Sequence, residues 1–255
     1  MRPAFLRTRA AAAAIAGWHT VLSAPAHEPA QMLQISPLFA VPVATAMMED
    51  ATLNRQLRDL FLAREAQGEV HANPNPYRVG AKALFESQFG LFESDEPAIV
   101  RLRDFCWQNV YQVIRDLNGY DNDVLRRLHI GNEAWFHITR RGGSFSVHNH
   151  PLHSWSGVYC VCQEGDDDAP GSGEFTIINP HVMNTMYTDM ATYRLKRPYD
   201  MGNMPIRLKP GQLLIFPSWL LHFVSPFEPK SDDAVRITVA FNARFRLEDY
   251  QYGQL

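Results

Sequence analysis

The chain has few cysteines, no long apolar run and no large excess of charge of either sign. It contains three cysteines in 255 residues, and its formal net charge is −3. Three cysteines do not make a disulfide framework, so we expect a reducing compartment and predict a cytoplasmic protein. The small net charge gives no broad basic face, so nucleic acid is not an expected partner. The alanine-rich stretch 10–16 is far too short to span a membrane, and we expect no membrane association.

What is present is the composition of an ordinary globular protein. Hydrophobic residues make up 46% of the chain and charged residues 20%, which suits one large β domain or two smaller domains. The first thirty residues are rich in arginine, alanine and proline, and Ala24-Pro25-Ala26 resembles a small-residue cleavage site. Because this segment is only weakly apolar, we predict that residues 1–34 are a disordered extension or a weak targeting segment. Residues 35–255 are predicted to form a single domain.

Two helices are predicted in the first part of this domain, within residues 47–120. Leucine and phenylalanine side chains recur on one face of 50–62, and a second apolar stripe runs over 97–117. Pro97 suits the first turn of the second helix, and Asn118-Gly119 suits its end. A strand is predicted at 38–43, before the first helix.

From residue 134 onward, short β-type runs alternate with turns. The predicted strands are 134–139, 156–162, 174–179, 205–208, 212–216 and 236–241. Many short strands at this spacing favour a sandwich or a cupin-like jelly roll. We therefore predict a mainly β domain with a core at 130–246 and the helices packed along its outside. A methionine-rich segment, 183–204, is long enough for a lid, a packed surface excursion or a contact in a homodimer.

The most informative motif is a histidine pair, His148 and His150, followed by a distant third histidine, His222. Alternate residues of an extended segment project to one face, so the pair points the same way. Neutral imidazoles suit iron and similar metals, and three ligands on one face leave positions open for small molecules. We predict a metal site of His148, His150 and His222. Water or a carboxylate elsewhere, such as Glu174 or Asp189, is the alternative to His150.

Arg236 carries the second signal. In the predicted strand 236–241, Arg236 and Thr238 share one face, while Ile237, Val239 and Phe241 share the other. The apolar face is expected to pack, which turns Arg236 inward. A buried guanidinium needs a partner, and its fork fits a carboxylate, either of an organic cosubstrate or of an Asp or Glu in a structural ion pair.

Taken together, these stretches resemble the 2-oxoglutarate/iron(II) oxygenase family, in a branch of bacterial and phage proteins with an HxH…H iron motif. The likeness lies in 148–159, 175–180 and 211–242, and it covers roughly 35–244 of the chain. It leaves the first thirty-odd residues uncovered.

The resemblance implies a double-stranded β-helix that holds Fe(II) and 2-oxoglutarate. By matching position, His148 and His222 are the two histidines of the metal triad, and His150 falls where the wider superfamily has Asp or Glu. Arg236, with Thr238 beside it, falls where the distal carboxylate of 2-oxoglutarate is clamped. Tyr159 is expected to give the cosubstrate a further hydrogen bond.

The function that follows is an iron(II)/2-oxoglutarate-dependent dioxygenase. It is expected to use O2 to hydroxylate a C–H bond of a small molecule, with conversion of 2-oxoglutarate to succinate and CO2. Three-histidine iron is also used by dioxygenases that need no 2-oxoglutarate, which is the first alternative. A noncatalytic, metal-dependent binding module is the second, and a metal hydrolase is a weaker third, since zinc also accepts three histidines.

Overall fold

The computed structural model describes residues 33–76, 83–164 and 169–247. By internal contacts the chain divides into two units, 1–38 and 39–255. In the first unit, the described residues 33–38 form no helix or strand. The predicted extension, 1–34, therefore lies almost wholly outside the described residues. Every helix and strand named below belongs to the second unit.

The second unit contains ten strands and three α-helices within its described residues. In chain order they are β1 (Ala44–Met47), α1 (Ala51–Ala66), β2 (Leu84–Glu86), α2 (Pro97–Asn118), α3 (Asn122–Arg127), β3 (Leu128–Thr139), β4 (Phe145–His148), β5 (Trp155–Gln163), β6 (Phe175–Ile177), β7 (Met204–Ile206), β8 (Gln212–Pro217), β9 (His222–Val224) and β10 (Arg236–Leu247). Short 3-10 turns lie at Gly68–Val70, Leu91–Glu93 and Val182–Thr185.

The strands form two antiparallel sheets. The larger sheet has six strands in the order β1-β8-β5-β10-β3-β2, and the smaller has four in the order β4-β9-β6-β7. Neighbours in these sheets are mostly distant in sequence, as in a jelly roll. The predicted architecture, a mainly β fold with flanking helices and a jelly-roll core, is confirmed.

Helices α1 and α2 pack against the outer face of the larger sheet. Asp50 caps α1 by accepting hydrogen bonds from the backbone N–H groups of Thr52 and Leu53. Helix α2 begins with Pro97 and ends at Gly119, which has a φ of +68°. The buried faces of both helices share one apolar cluster with the outward-facing residues of β3, β5, β8 and β10. The helices therefore cover the outer face of the larger sheet and leave its inner face toward the smaller sheet.

The inner face of the larger sheet and the smaller sheet enclose a second apolar cluster. Its members are Phe145, Val158, Cys160, Phe175, Ile177, Leu208, Leu214, Phe216, Leu220 and Val224. Val158 and Cys160 belong to β5, whereas Tyr159 between them belongs to the outer cluster. Alternate side chains of β5 thus face the helices on one side of the sheet and the space between the two sheets on the other.

Several predicted boundaries differ from the structure. The first strand is β1 at 44–47, so the prediction of a strand at 38–43 was wrong. Helix α1 continues four residues beyond its predicted end, and α3 was not predicted. Among the described helices, none combines the length and the apolar character of a membrane span.

Candidate metal centre

Three histidine side chains meet where the smaller sheet ends. His148 is the last residue of β4, His222 is the first residue of β9, and the two are paired directly across the antiparallel ladder. The ring centroids of His148 and His222 are 4.3 Å apart, and each lies within 5.1 Å of the ring of His150. One nitrogen of each ring lies within 4.8 Å of the other two. A single cation can therefore be reached by all three.

The turns beside the strands bring His150 to this point. It lies two residues beyond β4, and its backbone N–H donates to the carbonyl of Ser218, 2.9 Å away. The backbone N–H of Leu220 in turn bonds to Pro217, which reverses the chain between β8 and β9. The segment after β4 is thus fastened to the turn that precedes His222, which explains how residues far apart in sequence come together.

Backbone carbonyls set the proton position on two of the rings. The Nδ1 atom of His148 lies 2.7 Å from the carbonyl oxygen of Ser146, and that of His222 lies 2.8 Å from the carbonyl oxygen of Leu220. Because a carbonyl can only accept, each Nδ1 carries the proton. The lone pair then lies on Nε2, which is the arrangement of metal-binding histidines.

His150 has a side-chain neighbour instead. Asn242 Nδ2 lies 3.4 Å from His150 Nδ1, and Asn242 Oδ1 accepts from the Ser156 hydroxyl at 2.8 Å. A second hydroxyl, of Ser218, lies 2.8 Å from that of Ser156. If the Asn242 amide turns over, its oxygen accepts the Nδ1 proton of His150, as the carbonyls do for the other two histidines. Asn242 can therefore hold His150 in the tautomer that a metal needs.

Burial keeps the imidazoles of His150 and His222 neutral. Loss of solvent, followed by repulsion from His222 and His148, lowers the pKa of His150 to about 3. Loss of solvent and the neighbouring His148 lower the pKa of His222 to about 4. Near pH 7 both rings are uncharged, which is the form that binds a metal ion.

Arg236 lies behind the histidines, at the end of a cavity between the two sheets. We call this space the inner cavity; it is lined by His148, His150, His222, Arg236, Thr238 and Ala240, together with apolar side chains. Arg236 is 1% exposed, and its Nε has no hydrogen-bond partner among the described residues. Burial lowers the pKa of its guanidinium. A buried guanidinium without a counter-charge is costly, so this position suits an anion with carboxylate geometry.

The inward face of β10 was predicted from alternation, and the structure has it so. Arg236 and Thr238 are buried and line the inner cavity, while Ile237, Val239 and Phe241 lie in the outer cluster. The same alternation shows that the prediction for Tyr159 was wrong. Its side chain points to the helices, and its hydroxyl donates to Asn54 Oδ1 at 2.6 Å. From there it cannot reach a molecule in the inner cavity.

The other carboxylates considered for the metal lie elsewhere. Within the described residues, the three histidines are the one cluster that could hold a metal ion, and neither Glu174 nor Asp189 is part of it. Asp189 instead accepts a hydrogen bond from the backbone of Ala191 in its own turn. The methionine-rich segment 183–204 does not line the inner cavity, and its role as a lid stays a prediction.

A depression larger than the inner cavity, which the sequence did not predict, lies on the outer side of His148 and His150. This outer cleft has a volume of about 450 Å³ and includes Glu86, Phe89, Glu133, Trp135, Asn149 and His153. His137 lies at the boundary between the outer cleft and the inner cavity. Its Nε2 is 3.0 Å from both Glu86 Oε2 and Trp135 Nε1, and burial lowers its pKa. The alternation of Glu133, Trp135 and His137 along β3 was the signal that could have revealed this wall.

Comparison with known proteins agrees with the geometry. The family model described as "Putative 2OG-Fe(II) oxygenase" matches residues 133–242, which include all three histidines and Arg236. A prolyl-4-hydroxylase from Pseudomonas putida has a similar fold, with a TM-score of 0.53 at 14% identity over 81% of this chain and 94% of its own. AviO1 from Streptomyces viridochromogenes is similar with a TM-score of 0.51 at 12% identity, over 80% of this chain and 90% of its own. Curated protein sequences give no match.

The fold, the matched segment and the three-histidine cluster define an oxidoreductase that depends on iron and 2-oxoglutarate. Within residues 133–242 the chain carries a segment that matches the 2OG-Fe(II) oxygenase family model. Its side chains fit both groups: the three imidazoles suit the metal, and the buried Arg236, whose Nε has no partner among the residues the structure describes, suits an acidic cosubstrate.

Proposed function

We propose that this chain is a dioxygenase that hydroxylates a C–H bond of a small-molecule substrate. One oxygen atom of O2 enters the substrate as a hydroxyl group, and the other enters succinate as 2-oxoglutarate loses CO2. The observation that carries this proposal is a buried guanidinium, whose Nε has no hydrogen-bond partner among the described residues, in the same cavity as three convergent imidazoles. The location in the cytoplasm and a homodimeric state stay predictions.

Each side chain has a defined part in this proposal. His148, His150 and His222 would hold iron through Nε2, because Nδ1 is engaged by a carbonyl or by Asn242. Arg236 would pair with the distal carboxylate of 2-oxoglutarate, with the hydroxyl of Thr238 on the same face of β10. When bound, iron supplies the activation of O2 and the oxidative decarboxylation of the cosubstrate. The apolar side chains in the lining of the inner cavity would limit the access of water to these groups.

Anaerobic titration tests the metal and the cosubstrate together. Fe(II)-loaded protein should develop a visible charge-transfer band as 2-oxoglutarate is added. In Arg236→Ala the half-saturating concentration should rise at least about 10-fold, because a charge-assisted, bidentate contact is lost. Arg246→Ala, at an exposed position of the same strand, is the matched control and should behave as wild type. Equal titrations for Arg236→Ala and wild type would remove the basis of the proposal.

A second candidate is favoured by one observation, the imidazole of His150 at the third position of the triad. Three neutral ligands leave the metal more positive than two histidines and a carboxylate, and three-histidine iron does not require 2-oxoglutarate for every reaction. In that case Arg236 would hold a carboxylate of the substrate itself. Oxygen consumption with a substrate in the absence of 2-oxoglutarate supports this candidate, and strict dependence on 2-oxoglutarate with one succinate per product rejects it.

A further inference from the structure

We propose that the outer cleft binds a substrate that carries a positively charged amine on an apolar or aromatic carbon frame. This inference rests on the proposed function, which places the reacting carbon beside the three histidines. The cleft has the volume of a small-molecule site, about 450 Å³. It adjoins the inner cavity, because His148 and His150 line both spaces.

The two spaces differ in charge. The inner cavity contains the guanidinium of Arg236 and no carboxylate among its described lining residues. In the outer cleft, the described lining residues include two carboxylates, Glu86 and Glu133, and neither lysine nor arginine. A field of this kind attracts an anion to the interior and a cation to the cleft. Cosubstrate and substrate would thus be sorted by the sign of their charge.

Glu133 is the carboxylate placed to contact an ammonium group. Its side chain is 48% exposed, and His153 Nε2 lies 3.9 Å from its Oε2. Glu133 on β3 is paired with Asn242 on β10, and the side-chain amide of Asn242 lies 3.4 Å from His150 Nδ1. Directly paired residues have Cβ atoms about 4.5–5.5 Å apart. A group held by Glu133 would therefore lie close to Asn242, and Asn242 in turn contacts His150, one of the predicted metal ligands.

Aromatic rings lie beside this carboxylate. Trp135 follows Glu133 on the same face of β3, and its ring centroid is 4.7 Å from that of Phe89. A cation near the face of an indole ring is stabilised by the ring quadrupole, and the carbon frame of the substrate can cover the rings. At the rim, Leu152 is 86% exposed in a left-handed conformation, with a φ of +67°. Leucine rarely adopts this conformation, and here it directs an apolar side chain at the cleft.

Glu86 has a different part. Its Oε1 accepts from Asn73 Nδ2 at 2.6 Å, and its Oε2 lies 3.0 Å from His137 Nε2. These contacts engage both carboxylate oxygens, so Glu86 adds negative potential without being the docking group. Asn149 adds a neutral polar side chain to the lining of the cleft. Charge selection therefore depends on Glu133.

Three probes of similar size measure this selection: 2-phenylethylamine, 2-phenylethanol and 3-phenylpropionate. Each is titrated into anaerobic protein loaded with Fe(II) and 2-oxoglutarate, and binding is followed by ligand-observed NMR. We expect the amine to bind at least about 10-fold more tightly than the alcohol or the acid. Glu133→Gln should abolish this preference, and Glu133→Lys should reverse it in favour of the acid. Glu49→Gln, at an exposed position outside the cleft, should change nothing.

The outcomes separate this inference from the proposed function. Absence of amine binding, a preference for the acid in wild type, or an amine preference that survives in Glu133→Gln would each overturn it. The 2-oxoglutarate band is recorded in the same samples. If that band is absent while the amine still binds through Glu133, the dioxygenase proposal fails and the cleft assignment stands. If the band is normal and the amine preference is absent, the cleft assignment fails and the dioxygenase proposal stands.

Discussion

At the scale of single residues, the site consists of groups whose burial is costly in isolation. Three imidazoles lie close enough to share one cation, and a guanidinium lies buried with an Nε that has no hydrogen-bond partner in the described part of the chain. A chain selected for stability alone would place apolar side chains at such positions. Their presence is therefore an argument for ligands that the folded chain is arranged to receive.

Replacing Arg236 by methionine should raise stability and remove cosubstrate binding together. Methionine fills much of the same volume without a buried charge, so the free energy of unfolding without ligands should rise by about 1–4 kcal/mol. Urea denaturation followed by circular dichroism measures this change. Saturating 2-oxoglutarate and metal should stabilise wild type but not Arg236→Met. A large loss of stability in this variant would mean that Arg236 has a structural partner.

Substitutions at Asn242 should change metal affinity through His150. Asn242→Leu cannot accept the Nδ1 proton of His150, and loss of such a contact typically weakens metal binding about 10–100-fold. Asn242→Asp keeps an acceptor and should retain the affinity or increase it. Competition with a chromogenic chelator gives the dissociation constants. Equal affinities in the leucine and aspartate variants would show that His150 does not need this neighbour, or does not bind the metal.

The apo protein should lose stability as the pH falls below about 6.5, the ordinary pKa of histidine. Burial lowers the pKa of His150 to about 3 and of His222 to about 4 in the folded chain. Between these values and 6.5 the unfolded chain binds protons that the folded chain does not, so stability falls with pH in this window. Urea midpoints measured from pH 7.5 to 4.5 test this, and His222→Gln should show a shallower decline.

At the scale of elements, short strands position the site and long ones support it. Two of the three predicted metal ligands, His148 and His222, lie on β4 and β9, which have four and three residues, and the pairing of these strands includes a register shift. A pattern with a period of two cannot be recognised over so few residues, so neither strand was predicted. By contrast α1 and α2 have long apolar stripes, and the sequence predicted both helices to within four residues at each end. Strand β10 begins at its predicted residue but continues six residues beyond the predicted end, 241. Convergence of His150 on His222 depends on backbone bonds between turns, which no sequence pattern reports.

Gly157 should tolerate no side chain, because β5 approaches β10 closely there. A Cβ at this position would lie 2.2 Å from the ring of Phe241, which is fully buried. Gly157→Ala must displace that ring, and overpacking of this kind costs about 1–3 kcal/mol. Thermal unfolding should show a lower midpoint. Gly202→Ala, where a Cβ would meet nothing within 4 Å, should unfold like wild type.

At the scale of the whole domain, the jelly roll separates two environments that meet at the histidines. Helices stiffen one sheet from outside, the two sheets enclose an inner cavity with a positive charge, and an outer cleft with negative charge opens beyond. The family and the fold could be predicted because their signals are spread along the chain. The cleft could not, because its wall combines β2, β3 and the turns after β4, and each contributes only one or a few side chains.

The methionine-rich segment is the part of the domain best placed to respond to ligands. The chain that leads into it leaves β6 after Ile177, which is paired with His222, and the backbone N–H of Ile178 donates to the carbonyl of Leu221. Its far end returns near Asn203, whose side chain accepts from the backbone of Asn179. Between these fixed ends, Met183, Met186, Tyr187, Met190 and Tyr193 are exposed. The segment is anchored beside a predicted metal ligand, and its exposed apolar side chains could pack on an apolar substrate. We therefore expect it to close over the site when substrate binds.

Limited proteolysis measures this closure. Chymotrypsin should cleave near Tyr187 and Tyr193 in the apo protein, and cleavage should slow at least several-fold when metal, 2-oxoglutarate and a bound amine are all present. Metal and 2-oxoglutarate without the amine should protect less, because the predicted lid would close on the substrate. Mass spectrometry of the fragments identifies the cut sites, and unchanged cleavage elsewhere serves as the internal control. Equal rates in all states would identify 183–204 as a fixed surface excursion, and access to the histidines would then be governed by the outer cleft alone.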